Sequence, residues 1–285
     1  MISNPGTVGK AIDVAATILS SSGIENVRKE TFLLFQYATN ISVAQLRGRP
    51  NIALDDADWN KISSLINRRA NYEPFAYLVK MKEFWSLPFE VTRNTLIPRP
   101  DSETLIETIL NYLPDKDARL NILDLGTGCG CLLGALLKEL RYANGVGVDT
   151  NLAASNIAFH NLKRLGFAAR TKINTGNWGE QINGLFDAIV CNPPYIPTRE
   201  IKNLEAGVKY YEPHIALDGG KDGLEAYRTI AGQIHRLLNT NGVAVVEFGD
   251  GQDTAVAQIF EANGLKIKGF SRDLASKNRC LLATL

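Results

Sequence analysis

The feature that most constrains the fold is an alternation of short apolar runs with helical patterns in the second half of the chain. The apolar runs after Leu120 are NILDL, GVGVD, FDAIVC and VAVVEF. Segments with helical periodicity, such as 151–165 and 223–238, lie between them. Strands and helices that alternate in this way form a parallel sheet with helices on its faces. The sequence therefore predicts an α/β fold.

The first apolar run leads directly into a glycine-rich turn. In the segment LDLGTGCG, residues 123–130, a predicted strand is followed by Gly126, Gly128 and Gly130 and then by a helix that begins near Cys131. Glycines let the backbone turn tightly and approach a ligand without side-chain obstruction, while the free N–H groups of the helix face that ligand. This order of elements indicates a nucleotide-like cofactor.

An acidic residue ends the next apolar run. Asp149 follows the glycines by about twenty residues, which places a carboxylate at the carboxyl edge of the sheet, where it can accept hydrogen bonds from both ribose hydroxyls. Both NAD and S-adenosylmethionine fit this arrangement. Nicotinamide enzymes usually carry GxGxxG, whereas this chain has GTGCG, so the methyl donor is favoured. The simpler alternative is a tight turn followed by a helix that Asp149 caps.

A second motif, NPPY, follows the apolar run FDAIVC. It contains Asn192, Pro193, Pro194 and Tyr195. Ligands of open parallel sheets bind beyond the carboxyl ends of the strands, which is where this motif should lie. Two consecutive prolines fix an extended backbone and remove two N–H donors, so the loop presents carbonyl groups that only accept hydrogen bonds. The alternative is an ordinary turn after a core strand.

The residue types of this motif suit transfer of a methyl group to a planar nitrogen. An amide or exocyclic amine is a poor nucleophile, because its lone pair is delocalised. The side-chain oxygen of Asn192 and the carbonyl oxygen of Pro193 can accept both N–H hydrogens and align the nitrogen with a departing methyl group. Tyr195 can pack on the flat group and exclude water. The nitrogen loses its proton late, so the chemistry requires no strong base at the start.

The first seventy residues have a different pattern. Apolar residues recur at helical spacing from Val8 to Leu19, and further helices are predicted over 27–38 and from about Asp56. The segment 75–91 is rich in aromatic residues and suits a hairpin-like connector. Ser102 then takes the N-cap position of another helix. We predict a helical domain over 1–73, a connector over 74–95 and a catalytic domain over 96–285.

Several longer blocks resemble one family, the release factor N5-glutamine methyltransferases of the HemK or PrmC type. Besides LDLGTGCG and NPPYI, they are RRANYEPFAYL from Arg68, KEFWSLPFEV from Lys82, LIPRPDSETL from Leu96 and YEPHIALDGGKDGLEAYR from Tyr211. The resemblance covers nearly the whole chain. It implies a Rossmann-like class I methyltransferase sheet of seven strands, a β-hairpin connector and an N-terminal helical domain that helps to grip the release factor.

The resemblance also implies roles for single residues. The turn at 126–130, which includes Thr127 and Cys129, would surround the methionine end of S-adenosylmethionine. Asp149 would hold the ribose, Trp178 would line the adenine side, and residues 192–195 would hold the glutamine of the release factor's GGQ motif, with S-adenosylhomocysteine as the other product. Two positions depart from the family: Asn177 replaces the aspartate of an Asp-Trp pair, and Lys80 stands where glycine is usual.

Two rival functions differ from this hypothesis in class. NPPY-type loops also serve N6-adenine DNA methyltransferases and N2-guanine rRNA methyltransferases, but neither a basic face nor a target-recognition segment is recognisable in the sequence. The other rival is a non-catalytic interaction module that keeps only the fold. A module that had lost its activity would not be expected to keep the glycines of the turn together with Asp149, Asn192 and Tyr195.

Composition narrows the class of protein further. Lys and Arg number 31 and Asp and Glu 30, so the chain lacks the positive charge of a dedicated duplex-binding protein. The four cysteines form no CxxC pair, which predicts no structural zinc and reduced thiols in a cytoplasm. No signal peptide or membrane span is recognisable, and a monomer is expected. Three histidines are interpreted as surface or structural residues: His160, His214 and His235.

Overall fold

The computed structural model describes residues 3–285, which form two compact units. The first unit comprises the chain up to Lys80 together with residues 205–211, and the second comprises residues 81–204 and 212–285. The two boundaries predicted from the sequence, after residues 73 and 95, lie on either side of the observed division after Lys80. Residues 205–211 join the helical unit although they are distant from it in sequence.

The α-helices and β-strands are numbered here in chain order. The helices of the described residues are α1 (Val8–Ser21), α2 (Val27–Thr39), α3 (Val43–Gly48), α4 (Asp56–Ala70), α5 (Phe75–Val79), α6 (Glu103–Tyr112), α7 (Cys131–Glu139), α8 (Leu152–Arg164), α9 (Ala206–Tyr211), α10 (Glu225–Leu237) and α11 (Asp253–Ala262). The strands are β1 (Met81–Phe84), β2 (Leu87–Glu90), β3 (Asn121–Leu125), β4 (Asn144–Asp149), β5 (Thr171–Thr175), β6 (Phe186–Cys191), β7 (Leu238–Glu247), β8 (Lys266–Arg272) and β9 (Asn278–Thr284).

The three helices predicted in the first unit are confirmed as α1, α2 and α4. Asp55 caps α4 by accepting a hydrogen bond from the Asp58 amide at 2.7 Å, and Gly23, which follows the C-cap residue of α1, adopts a φ of 73°. The apolar faces of these helices form one core, whose fully buried members include Leu19, Leu34 and Ile62. The short helix α3 was not predicted, and it is held by a capping box between Ser42 and Gln45.

The predicted connector was too long at its start. Residues 75–79 form α5, whose central residues Ala76, Tyr77 and Leu78 are buried, and the hairpin of β1 and β2 occupies only residues 81–90. Lys80 ends α5 with a φ of 56°, in the left-handed region that glycine adopts without steric cost. This conformation accounts for the glycine that the family usually has there, and the hairpin still forms directly after the lysine.

The second unit is built on a seven-stranded sheet in the order β5-β4-β3-β6-β7-β9-β8, which confirms the predicted α/β fold. Strands β3 to β7 pair in parallel, while β9 pairs antiparallel with β7 and β8. The chain moves from β3 to β4 on one side and later returns to β6 on the other. A crevice therefore opens beyond the carboxyl ends of β3 and β6, where ligands of open α/β sheets bind.

The four strands predicted from apolar runs are all present as β3, β4, β6 and β7. Three further strands were not identified individually, namely β5, β8 and β9. In β5 and β8 the side chains are half-buried or exposed, so these two strands lack a continuous apolar run. The core of the unit lies between the sheet and its helices, with Tyr227, Phe248 and Phe260 among its fully buried side chains.

Candidate active site

A cavity of about 380 Å³ lies at the crevice and is formed by the second unit. Eight of the predicted site residues line it: Gly126, Thr127, Gly128, Cys129, Asp149, Trp178, Asn192 and Pro194. Within the described chain, three others are not part of its lining: Gly130, Pro193 and Tyr195. The fold thus brings the glycine-rich turn and part of the NPPY loop to one enclosed space. Its volume is within the range of small-molecule sites.

The glycines of the turn serve different purposes. Gly126, Gly128 and Gly130 all have positive φ values, of 76°, 55° and 83°. A Cβ atom at position 126 would lie 3.2 Å from the Trp178 ring, and one at position 130 would lie 3.3 Å from Ala158 of α8. A Cβ at position 128 would meet only the carbonyl of Gly126, at 4.0 Å. Gly128 therefore keeps the cavity open, while Gly130 allows α8 to pack closely.

Asp149 is held by the backbone on both sides of the cavity. Its Oδ2 accepts a hydrogen bond from the Gly128 amide at 2.9 Å, and its Oδ1 accepts one from the Asn151 amide at 2.9 Å. Burial raises the pKa of Asp149, and these two bonds oppose the rise. The cap of α8 is Asn151, which accepts from the Ala153 amide, so Asp149 is not the capping residue of the simpler alternative.

A second carboxylate beneath the turn was not among the predicted site residues. Asp124 is fully buried, and its Oδ2 accepts a hydrogen bond of 2.7 Å from Thr127 Oγ1. Its Oδ1 has no hydrogen-bond partner among the described residues. Burial raises the pKa of Asp124 to about 7. The sequence contained a signal for it, because an aspartate inside the apolar run NILDL is costly to bury without a purpose.

The NPPY loop is fixed by backbone pairing with the segment 217–220. The Ile196 amide donates to the Leu217 carbonyl at 3.0 Å, and the Gly219 amide donates to the Ile196 carbonyl at 2.9 Å. A Cβ at position 219 would lie only 2.8 Å from the Pro194 carbonyl oxygen and from the Tyr195 Cα. No side chain fits there, so the loop is tightly supported from this side.

Asn192 belongs to a hydrogen-bonded chain of buried polar side chains. Its Nδ2 donates to Ser102 Oγ at 3.1 Å, and Ser102 Oγ donates to Glu247 Oε2 at 2.6 Å. The hydroxyl of Tyr195 donates to the other oxygen of Glu247 at 3.4 Å. Ser102 directly precedes α6, as predicted, but its side chain makes no capping bond because Glu247 engages it instead.

Two of the longer sequence blocks meet beside the cavity. Glu212, which is 4% exposed, accepts hydrogen bonds from the Ile97 amide and from the Arg99 guanidinium. Arg99 also lines the cavity. An ion pair thus joins LIPRPDSETL to YEPHIALDGG and holds Arg99 in the lining of the cavity.

Trp178 and its neighbour Asn177 both line the cavity. Trp178 adopts a φ of 52°, and its ring lies against the position where Gly126 has no side chain. Asn177 does not restore the carboxylate of the family's usual Asp-Trp pair. Its Nδ2 instead donates to Glu180 Oε1 at 2.5 Å.

The histidines lie outside this cavity. His160 is on α8 with a side chain that is 61% exposed, His235 is on α10, and His214 begins a short 3-10 helix. Within residues 3–285, no group of three or more His, Cys, Asp or Glu side chains is arranged to hold a metal ion. In the same residues, no helix is long and apolar enough to cross a membrane.

The sheet order, the glycine-rich turn and the acidic end of β4 define the class: the second unit is a Rossmann-like methyltransferase domain. Residues 101–206 match the family described as methyltransferase small domain, and residues 10–79 match the PrmC N-terminal domain. The solved structure of a methyltransferase from Pyrococcus furiosus has a similar fold, with a TM-score of 0.52 and 18% identity over 76% of this chain and 97% of that one.

Two relatives establish the family. The release factor glutamine methyltransferase of Rhodospirillum rubrum is 38% identical over 97% of this chain and 84% of its own length. That of Caulobacter vibrioides is 34% identical over 97% of this chain and 96% of its own length. The chain belongs to the family of release factor glutamine methyltransferases.

The residues of the cavity fit S-adenosyl-L-methionine, which is the cofactor of this methyltransferase class. Gly128 leaves space that any side chain would occupy, and both oxygens of Asp149 keep a lone pair beyond their backbone bonds. Asp124 lies beneath the same turn, where Thr127 bonds to its Oδ2, and it does not itself line the cavity. The turn therefore offers acceptors and open space where a cationic nucleoside derivative needs them.

Proposed function

We propose that this protein transfers a methyl group from S-adenosyl-L-methionine to the side-chain amide nitrogen, N5, of the glutamine in the GGQ motif of peptide chain release factors. One observation carries the proposal. A single cavity joins the glycine-rich turn and Asp149 to Asn192 and Pro194 of the NPPY loop. A donor held at one end and a carboxamide held at the other would share one space that largely excludes water.

The donor end would be formed by backbone and one carboxylate. Asp149 would accept hydrogen bonds from the ribose hydroxyls, because its two oxygens are already oriented by the amides of Gly128 and Asn151. Trp178 would lie along the adenine, and residues 126–130 would surround the methionine portion. The bound cofactor supplies an electrophilic methyl group on a sulfonium. Asp124 would add negative charge beneath that cation.

The acceptor end would orient the glutamine nitrogen. Asn192 Oδ1 and the carbonyl of Pro193 would accept its two N–H hydrogens, which favours the pyramidal nitrogen of the transition state over the planar amide. Tyr195 does not line the cavity and would instead brace the loop through its hydroxyl bond to Glu247. No histidine lines the cavity in the described chain, in keeping with a nitrogen that loses its proton late. These hydrogen bonds accelerate transfer to the extent that they strengthen in the transition state.

The helical unit would contribute to recognition of the release factor. Residues 10–79, which match the PrmC N-terminal domain, have their own buried core and so form a rigid surface. Within this proposal the enzyme acts as a cytoplasmic monomer on a protein substrate and needs no sequence-specific contact to nucleic acid. The balance of 31 basic against 30 acidic residues supports a protein partner over duplex DNA.

The deciding experiment is a competition assay with labelled donor. The purified protein is offered a release factor, duplex DNA and rRNA together, and the label is expected in the release factor alone. A release factor whose GGQ glutamine is changed to asparagine is the matched control, because it keeps a carboxamide but shortens its reach. Label in DNA or rRNA and none in the factor would overturn the proposal.

Calorimetry with S-adenosylmethionine separates this proposal from the non-catalytic alternative. Binding without methylation of any substrate would leave the cofactor assignment intact and reject the substrate assignment. No detectable binding would favour an interaction module.

A further inference from the structure

Glu247 is a carboxylate buried at the end of the central strand β7. Its side chain is 2% exposed, and the sequence around it, VAVVEF, is otherwise apolar. A hydrophobic side chain of similar volume would fill this position without the cost of desolvating a charge. The carboxylate therefore has a role other than stabilising the core.

The hydrogen bonds of Glu247 have a fixed direction. An ionised carboxylate only accepts hydrogen bonds, so the hydroxyl of Ser102 must use its single hydrogen to donate to Oε2 at 2.6 Å. The Ser102 oxygen is then free only to accept, and it accepts from Asn192 Nδ2 at 3.1 Å. Because the side-chain nitrogen of Asn192 points to Ser102, its side-chain oxygen Oδ1 points away from Ser102. Among the described residues no donor bonds to that oxygen.

We propose that Glu247 and Ser102 are positioning residues that set the orientation of the Asn192 carboxamide, so that its oxygen rather than its nitrogen faces the substrate. This inference rests on the proposed function, in which that oxygen accepts an N–H of the glutamine. Glu247 also accepts a hydrogen bond of 3.4 Å from the Tyr195 hydroxyl, so one carboxylate orients two residues of the NPPY loop.

The backbone holds this carboxylate firmly in place. The hydroxyl of Tyr227 donates to the Glu247 carbonyl at 3.0 Å, and Glu247 pairs with Cys280 across β7 and β9. Ser102 is 3% exposed and sits at the start of α6. Burial and backbone hydrogen bonds therefore restrict both residues. This suits a chain of hydrogen bonds from Asn192 to Ser102 to Glu247 in which donor and acceptor must not be exchanged.

Protonation of Glu247 would remove the fixed direction of these hydrogen bonds, because a carboxylic acid can itself donate a hydrogen bond to Ser102. Burial raises the pKa of Glu247 to about 7, opposed by the Ser102 hydrogen bond and by the charge of Arg279. The titratable and charged groups that face it are Tyr195, Tyr227, Asp101, Arg279, Cys191 and Cys280. Methyl transfer should accordingly increase as pH rises through about 7.

The first test is Glu247→Gln, whose amide can donate to Ser102 and so allows Asn192 to flip. We expect kcat to fall by roughly 10- to 100-fold with KM for the donor changed by less than about 2-fold, the signature of an interaction made in the transition state. The increase of kcat through pH 7 should become smaller in this variant, because Asp124, whose pKa is also about 7, still titrates there. An unchanged pH profile would overturn the proposal.

The second test alters Ser102. Ser102→Ala breaks the relay and should lower kcat by a similar factor of about 10 to 100, whereas Ser102→Thr keeps the hydroxyl and should retain activity within about 3-fold. The double variant S102A/E247Q should be no worse than either single one, since residues of one network are non-additive. Thr171→Ala, which removes a half-buried hydroxyl of β5 that donates to the Phe167 carbonyl at 2.8 Å, is the matched control and should leave kcat unchanged.

A measurement without substrate distinguishes failure of this inference from failure of the proposed function. The side-chain NH₂ resonances of Asn192 should shift with pH around 7 in the wild-type protein and should not do so in S102A. If they are insensitive to pH and to both substitutions, the relay is rejected even if the enzyme methylates release factors. If they respond while release factors are not methylated, the relay stands and the substrate assignment fails.

Discussion

The two ends of the cavity are built in different ways. The donor end is a contiguous turn, residues 126–130, whose backbone amides and positive φ values shape the space, with Asp149 added from the next strand. The acceptor end is assembled from side chains far apart in sequence, which are Ser102, Asn192 and Glu247. The donor end depends on main-chain geometry, and the acceptor end depends on the direction of a few hydrogen bonds. Substitutions at the two ends should therefore affect different kinetic quantities.

The largest expected effect is at the acceptor end. Asn192→Ala removes the oxygen proposed to orient the glutamine nitrogen, so kcat should fall by roughly 100- to 1000-fold, while donor affinity stays within about 3-fold. Stopped-flow transfer rates and calorimetry measure the two quantities separately. Asn263→Ala, at an exposed asparagine on the end of α11, should change neither. A loss of donor binding comparable to the loss of rate would contradict the separation of the two ends.

The next effect belongs to the donor end. Asp149→Ala removes the carboxylate proposed to hold the ribose and should raise the dissociation constant for S-adenosylmethionine by about 10- to 100-fold. At saturating donor, kcat should remain within several-fold of the wild-type value. Asp250→Ala, at an exposed aspartate paired with Lys277, serves as the control. A large fall in kcat with normal affinity would show that Asp149 acts on the chemistry and not on binding.

A smaller effect is expected from the backbone of the glycine-rich turn. Gly126→Ala forces alanine to a φ of 76°, which costs about 1–2 kcal/mol of stability, and places a Cβ 3.2 Å from Trp178. Gly166→Ala has a similar φ of 85° but no neighbouring atom within 4 Å. Thermal unfolding should show a similar loss in both variants, and only Gly126→Ala should weaken donor binding. Equal donor affinities would mean that the Trp178 contact is unimportant.

The smallest effect concerns stability at the acceptor end. The pKa of Glu247 is about 7 in the folded protein, above its ordinary 4.5. Between these values folding takes up a proton, so the free energy of unfolding decreases as pH rises from 4.5 to 7 and then levels off. Glutamine does not ionise, so Glu247→Gln does not lose unfolding free energy as pH rises through this range. The variant should be more stable than wild type at pH 8, by on the order of 1 kcal/mol. Melting curves of both proteins at pH 5 and pH 8 test this prediction. If the variant were stabilised more at pH 5 than at pH 8, the predicted pH dependence would be wrong.

The contrast between the two ends also explains what the sequence could predict. Apolar runs are local, so the sequence predicts β3, β4, β6 and β7 correctly. The glycine-rich turn is local too, so the residues proposed for the donor end could be named from the sequence. Strands β5 and β8 were not found, because their side chains are mostly half-buried or exposed and no continuous apolar run marks them. Short helices such as α3 and α5 depend on capping and burial more than on periodicity.

The relay at the acceptor end could not be predicted from local pattern. Ser102 was assigned the role of a helix cap, and only the fold shows that Glu247 engages its hydroxyl. A carboxylate inside an apolar strand was nevertheless a visible signal, both for Glu247 in VAVVEF and for Asp124 in NILDL. Reading such interruptions as candidate site residues would have identified both.

The backbone pairing beside the NPPY loop makes the first part of the segment that follows it open to replacement. The Ile196 amide and carbonyl bond to Leu217 and Gly219, and the Thr198 amide bonds to the Gly220 carbonyl at 2.9 Å. These backbone hydrogen bonds therefore hold the two ends of segment 199–216 together. A graft that replaces only residues 199–204 keeps Glu212 and the cavity-lining residues Pro213, Ile215 and Ala216 in place. It should leave the catalytic loop undisturbed, which offers a way to redirect the enzyme to other polypeptides.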